Sequence, residues 1–241
     1  GSLTRSRVGG GRIKGGPALR KRASQTSESI ELALILALSG GLMDAYSYLG
    51  RGKVFANAQT GNLLLLGVHL SAGDFAAATR YAVLGFAVGC VLAHELKLRM
   101  PRGLHWRQYV LVVEVLLLLA VSFMPDDLNL LANSLTSLAC GMQVQAFRKL
   151  HGRPFATTMC IGNLRSGTQA LVSYAHGRGR VHLRTAALYY GVIACFVVGA
   201  VLGNWLLAPL ELSAIRVSCV LLALAITLMF HDREGRASQE S

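Results

Sequence analysis

Two short stretches, Thr60-Gly61-Asn62-Leu63 and Ile161-Gly162-Asn163-Leu164, put the same Gly-Asn pair at the start of a short apolar segment. An Asn amide donates and accepts hydrogen bonds and carries no charge to desolvate. The Gly before it lets the backbone bend. Thr60 and Asn62 can cap the unpaired backbone N–H groups of a helix start. The same N–H groups, at the positive end of the helix dipole, can also hold a solute. A pure cap and a polar binding turn both fit these residues.

Ionisable and amide side chains lie inside apolar segments as well. Asp44 and Glu114 are carboxylic acids in such runs, where acids mark functional sites by default. Asp44 could instead be a solvated residue near a helix end. Glu114 could be one half of a structural pair with Arg165, the base beside the second Gly-Asn turn. We expect Arg165 to lie against an acid, Glu114 first and Asp44 second. Gln143 and Gln145 suit a polar site or cross-helix hydrogen bonding. The candidate substrate-binding set is Asp44, Thr60, Gly61, Asn62, Glu114, Gln143, Gly162, Asn163 and Arg165.

Enzymatic chemistry is not expected. No nucleophile–base pair stands out. The seven His lack metal-ligand spacing, and the five Cys lie in or beside apolar runs without a C-x-x-C. Neither a metal nor another cofactor is expected.

These groups must be positioned by helices in a membrane. The chain is 53% hydrophobic and 15% charged, against roughly 25% charged for a soluble domain. Apolar runs at 30–49, 75–98, 108–123, 128–147, 185–207 and 212–230 lie near the roughly 20 residues that a crossing needs. Gly40-Gly41 should break the first run near its middle. Gly85, Gly89, Gly191, Gly199 and Gly203 are most simply packing residues. Two runs, 62–71 and 163–174, are too short to cross. The net charge of +12 does not point to nucleic acid, because Lys and Arg cluster between the apolar runs and no aromatic-basic interleaving occurs.

Four regions follow. Residues 1–27 form a basic, disordered cytoplasmic tail, with no cleavable signal peptide expected. Residues 28–127 and 128–231 are two membrane repeats, and 232–241 is a polar tail. The repeats share more than the Gly-Asn pair: Phe86-Ala87-Val88-Gly89 matches Phe196-Val197-Val198-Gly199, and the element order is the same.

Charge counting chooses between topologies. If all eight segments cross with the tail inside, 13 Lys/Arg fall inside and 10 outside, or 6 against 10 without the tail. If 62–71 and 163–174 dip in and return, 19 fall inside and 4 outside, or 12 against 4 without the tail, with Arg165 in the membrane. Only the second split obeys the positive-inside rule throughout. Three crossings per half is an odd number, so the halves should be inverted. The expected fold is all-α and polytopic: six transmembrane helices plus two re-entrant half-helices in two inverted repeats. Both termini are then cytoplasmic, and Asn62 and Asn163 approach each other near the midplane.

The run Gly41-Leu42-Met43-Asp44-Ala45, then Phe55 through Thr60-Gly61-Asn62, then Gly73-Asp74, resembles the YoaK-like family of bacterial inner-membrane proteins, a family of unknown function. Gly141-Met142-Gln143 and Thr157-Thr158 through Asn163 continue the resemblance, which covers about residues 30–230. Ile161 departs from it, since Thr commonly precedes Gly-Asn there. The resemblance implies a multi-pass inner-membrane protein and brings no substrate with it. The expected function is a small-solute transporter or channel with a midplane site between two half-helix N-termini. The competing expectation is a non-transporting sensor or assembly protein. The partners are the lipid bilayer and an unidentified small solute, with a homo-oligomer open and nucleic acid excluded.

Overall fold

The computed structural model describes residues 30–78, 83–100, 106–150, 153–154, 157–158 and 160–240. The expected basic tail, 1–27, lies outside the described residues. The described residues are mostly helical: α1 (Ile30–Gly50), α2 (Gln59–Ser71), α3 (Phe75–Ala78), α4 (Val83–Arg99), α5 (Trp106–Val121), α6 (Asn129–Ala146), α7 (Cys160–Ala175), α8 (Arg180–Leu210) and α9 (Arg216–Glu240). Short 3-10 segments, Asp126–Leu128 and Glu211–Ile215, precede α6 and α9. Lys149–Leu150 and Arg153–Pro154 make a two-residue antiparallel pairing.

The polarity of this fold is inside out. Leu84, Ile161, Phe123, Trp205 and Val220 stand exposed on the exterior. Glu114, Asn62, Asn133, Ser137, Gln143 and Ser218 are buried. An apolar exterior is unfavourable in water and neutral in lipid, so the bilayer is the solvent that fits. Among the described residues, two stretches are long and apolar enough to cross it, Ile30–Gly50 and Arg180–Met229. The second stretch contains both α8 and α9. The six runs expected from sequence are thus not all long, apolar helices here. α5 has 16 residues, α6 carries Asn129, Asn133, Gln143 and Gln145, and the described part of α4 has 17 residues.

Glycines set the two most extensive helix–helix contacts, α1 on α8 and α4 on α6. A Cβ on Gly41 would overlap the Phe196 carbonyl oxygen, and one on Gly199 would overlap that of Leu38. The second seam repeats the arrangement, with Gly89 against the Leu138 carbonyl and Gly141 against that of Phe86. Gly85 and Gly203 extend the seams, whereas Gly191 meets nothing within 4 Å. Gly40-Gly41 therefore does not break α1. The helix runs straight through, because the missing side chains let a neighbouring backbone in rather than let this one bend.

Contacts along the helices fix their directions. Leu38 meets Gly199, and Gly50 meets Leu207, so α1 and α8 run parallel. Ser134 meets Gly85, and Leu138 meets Gly89, so α6 and α4 also run parallel. Between other helix pairs the sense reverses. Arg51, just past α1, bonds Asn129 at the start of α6, while Met43 lies against Cys140 further along. α1 and α6 are therefore antiparallel. Arg216 Nε donates to Ser122 Oγ at 3.1 Å, and Cys219 reaches back to the Val115 carbonyl, so α5 and α9 are antiparallel too.

The short helices end in the same way. The N–H of Asp74 bonds the His69 carbonyl, and that of Gly73 bonds Leu70. After α7, Arg178 bonds Ser173 and Gly177 bonds Tyr174. Both are Schellman caps, with the left-handed position filled by Gly73 (φ 72) and Gly177 (φ 75). Their starts differ from the sequence reading. α2 begins at Gln59 and α7 at Cys160, so both Gly-Asn pairs sit inside a first turn rather than before it. At the other end of the chain, the helix expected to stop near residue 230 continues to Glu240, through the expected polar tail.

Candidate functional site

The site is a polar core between α1, α5 and α6 and the loops that lead into α2 and α7. Asp44, on α1, faces the loop before α2. The Asn57 N–H donates to Asp44 Oδ1 at 2.7 Å, and the Ala56 and Ala58 N–H groups act on the same carboxyl. Successive N–H groups of this kind form an anion cradle, and here the protein fills it with its own carboxyl. Asn57 Nδ2 also donates to the Gly40 carbonyl at 3.3 Å.

Asn62 closes that loop. Its Oδ1 accepts from the Phe55 N–H at 3.0 Å, while Nδ2 donates to the Phe55 carbonyl at 2.8 Å and to Gln59 Oε1 at 3.1 Å. Both amide hydrogens are used. Neither Thr60 nor Asn62 caps α2: its cap position is Ala58, with no side-chain bond. Gly61 is half-buried beneath Phe55, where a Cβ would stand 3.1 Å from the ring. It makes room for an aromatic ring rather than allowing a turn. Asn163 is also buried and engaged.

Other buried groups are unsatisfied. Both carboxyl oxygens of Glu114, both amide atoms of Gln143, and the hydroxyls of Thr157, Thr158, Ser39, Ser137 and Ser218 make no hydrogen bond to any described residue. Leaving such a group unpaired costs about 1–3 kcal/mol, so each calls for a reason. Several share one neighbourhood. Cys140 lies 4.0 Å from Met43, and Asp44 and Glu114 are both within electrostatic reach of its sulfur. Gln143 follows Cys140 on the same face of α6. Thr158 lies directly against Gly40, whose carbonyl Asn57 holds. Loop residues from both halves therefore meet at Gly40.

The rest of the expected set lies elsewhere. Thr60, Gly162 and Arg165 are exposed on the outer faces of α2 and α7. The expected Arg165 pair does not form. The described residues show two ion pairs, His69–Asp74 and Glu95–Arg99. Arg165 instead lines an open groove of about 630 Å³ along α7. Helical spacing explains this. Asn163 and Gly167 face inward, so Arg165 between them faces out.

Sequence reasoning missed Arg51. It is buried, and its guanidinium donates to Tyr46 Oη, Asn129 Oδ1 and the carbonyls of Pro125, Val121 and Met124 at 2.8–3.1 Å. All five donors are satisfied. Its own carbonyl accepts from Asn133 Nδ2 at 2.7 Å. Arg51 ties α1 to the α5–α6 connection, where the halves join. Asn57 and Thr157-Thr158 were also passed over, although they flank the Gly-Asn turns in sequence.

Polar groups sealed inside a helical frame with an apolar exterior define a helical membrane protein. The chain belongs to the family described as "Protein of unknown function (DUF1275)", whose model matches residues 32–229. It is 26% identical to "UPF0700 transmembrane protein YoaK" of Bacillus subtilis (strain 168) over 186 residues, 71% of this chain and 80% of that protein. These matches bear out the resemblance read from the Gly-Asn turns. No solved structure matches the chain.

Proposed function

We propose that the protein is a carrier or channel for a small polar solute, built as six crossings and two dipping half-helices in inverted halves. The buried, unpaired Glu114, Gln143, Thr157 and Thr158 carry this reading. Sealed polar groups with nothing to bond are poor scaffolding and good solute ligands. Helix direction supports the topology. Eight alternating crossings would make α1 parallel to α6 and α5 parallel to α9, whereas both pairs run antiparallel. Opposed directions for corresponding helices mark an inverted repeat. The charge split supports cytoplasmic termini, and the resemblance to YoaK-like inner-membrane proteins supports the bacterial inner membrane.

The test is flux into sealed vesicles carrying the full chain, across a panel of small polar solutes, with internal pH followed by a trapped dye. Glu114→Gln keeps the shape and removes the ionisable proton. It should abolish any proton-linked flux without loss of inserted protein. Flux equal to that of empty vesicles for every solute would end the transport reading. One observation favours the second reading, a sensor or assembly protein. The first hairpin is closed by its own Asp44 and Asn62 contacts, which leaves little there for a solute.

A further inference from the structure

The two halves treat negative charge differently. In the first half, the Asp44 carboxyl occupies the N–H cradle before α2. Matching Gly41 to Gly141 across the two glycine seams puts Val144 at the place of Asp44. The loop into α7 thus receives no carboxylate from its matching helix. In the same region the Thr157 and Thr158 hydroxyls and the Gln143 amide are at most 6% exposed and unbonded.

Charge is lopsided over most of the second half. No Asp or Glu occurs between Asp127 and Glu211, a stretch with seven Lys/Arg. The groove along α7 gathers three basic side chains of this region. Arg178 and His176 stand at one end, and Arg165 lies towards the α7 start, among Ile161, Leu164 and Val172. Eleven residues separate Arg165 from His176, roughly 16 Å along the helix axis. The match after the Schellman caps is telling: Asp74 follows Gly73, where Arg178 follows Gly177. An acid ends one hairpin and a base ends the other.

We infer that the transported solute is a small anion, which binds in the Arg178–His176–Arg165 groove of α7, in the same stretch of chain that carries the unbonded Gln143, Thr157 and Thr158. The inference rests on the transport reading above and adds the charge of the solute. Arg165 supplies a planar, permanently charged donor fork on the wall of the groove. The α7 N-terminus adds its dipole beside the hydroxyls. No Asp or Glu is among the residues that line the groove, so the charge that balances its bases comes from outside. Arg178 and His176 at the mouth raise the local anion concentration and speed entry.

The test uses the full-length purified chain and separates binding from flux. Thermal unfolding is followed against nitrate, formate and inorganic phosphate, with gluconate as a bulkier reference anion at equal ionic strength. At least one small anion should stabilise the protein beyond gluconate. Arg165→Gln should weaken that effect about tenfold in concentration, as expected for a lost charge-assisted bond. Arg184→Gln, which removes a cation outside the groove, should leave it unchanged. Stabilisation equal to that of gluconate, or an unaltered Arg165→Gln response, overturns the anion inference. Vesicle flux of urea and of the same anions is measured in parallel. Urea flux without anion binding leaves transport standing and removes the anion. Arg165-dependent binding without any flux upholds the anion site and removes transport.

Discussion

Replacing Gly41 by Ala tests the packing on which the site rests. The added Cβ would stand 2.8 Å from the Phe196 carbonyl carbon and 3.0 Å from the Ala200 nitrogen, besides overlapping the carbonyl oxygen. Both atoms are helix backbone, so no rotamer change relieves the clash. Optimal carbon contacts are about 3.5–4.0 Å, so the two helices must part by roughly 1 Å. Overpacking of this kind costs about 1–3 kcal/mol. Lost Cα–H···O contacts add about 0.5–1 kcal/mol each. The helix preference of Ala over Gly returns about 1 kcal/mol. The net expectation is a loss of roughly 1–3 kcal/mol.

A double-mutant cycle sharpens the test. Gly199 lies on the same seam, with its Cβ position 2.9 Å from the Leu38 carbonyl carbon. Once Gly41→Ala has parted α1 from α8, Gly199→Ala costs little more. Gly89 lies on the α4–α6 seam, which shares neither helix. Gly41→Ala with Gly89→Ala should therefore be additive within about 0.5 kcal/mol, and Gly41→Ala with Gly199→Ala clearly sub-additive. Denaturant unfolding in one fixed detergent measures all of these. An unaltered midpoint for Gly41→Ala, or the reverse pattern of additivity, refutes the close-packed seams.

Arg51→Met should cost about 3–5 kcal/mol by the same unfolding measurement, because five carbonyl, hydroxyl and amide partners lose their donor together. Arg51→Lys should recover little of it, since an ammonium cannot reproduce the fork; full recovery would show that charge alone matters. Asn62→Leu should expose 54–58 to limited proteolysis, with a stability loss of about 2 kcal/mol, and unchanged cleavage would remove the clasp. For topology, single cysteines at Gly73 and Gly177 on a cysteine-free background should label from opposite faces, and labelling from the same face contradicts the inverted arrangement.

Much of the frame was legible in the sequence because its causes are local. Period and length placed most of the apolar helices, and the repeated Gly-Asn and Phe-x-x-Gly motifs fall on α2 and α7 and on α4 and α8. What failed depended on partners far along the chain. Gly40-Gly41 resembles a helix break until Phe196 is seen to need the space. Arg51 reads as a loop cation because its acceptors lie some 70 residues away. Arg165 was expected to seek an acid because lipid penalises a lone charge. Helical phase decided otherwise, since its neighbours Asn163 and Gly167 take the inward face. Among the site residues, the buried acids and amides were visible as polar breaks in apolar runs. Thr157 and Thr158 gave no such break.

The distribution of burial also bears on where movement can occur. α1 buries a dozen residues and is locked to α8 by reciprocal glycines, while α6 is held on α4 in the same way. By contrast, α2 buries Asn62 alone and α7 buries Asn163, Gly167 and Ala170, with no glycine of either packed on a neighbouring backbone; α4 buries only Gly89 and Ala93 but is pinned to α6 by its backbone contacts. Local opening follows buried contact, so the hairpins should be the least stable elements and the seams the most stable. If the transport proposal holds, α2 and α7 are the elements that would move against the frame of α1, α4, α6 and α8. Hydrogen exchange in a membrane mimic reads this directly. Backbone amides of α2 and α7 should exchange faster than those of α1, α4, α6 and α8, by about tenfold or more for a difference above 1.4 kcal/mol in opening energy. The first hairpin, held by the Asn62 clasp and Asp44, should exchange more slowly than the second. Uniform protection across all six helices would place movement in rigid-body motion of the halves instead. Faster exchange in α1 than in α7 would break the link between the glycine seams and rigidity.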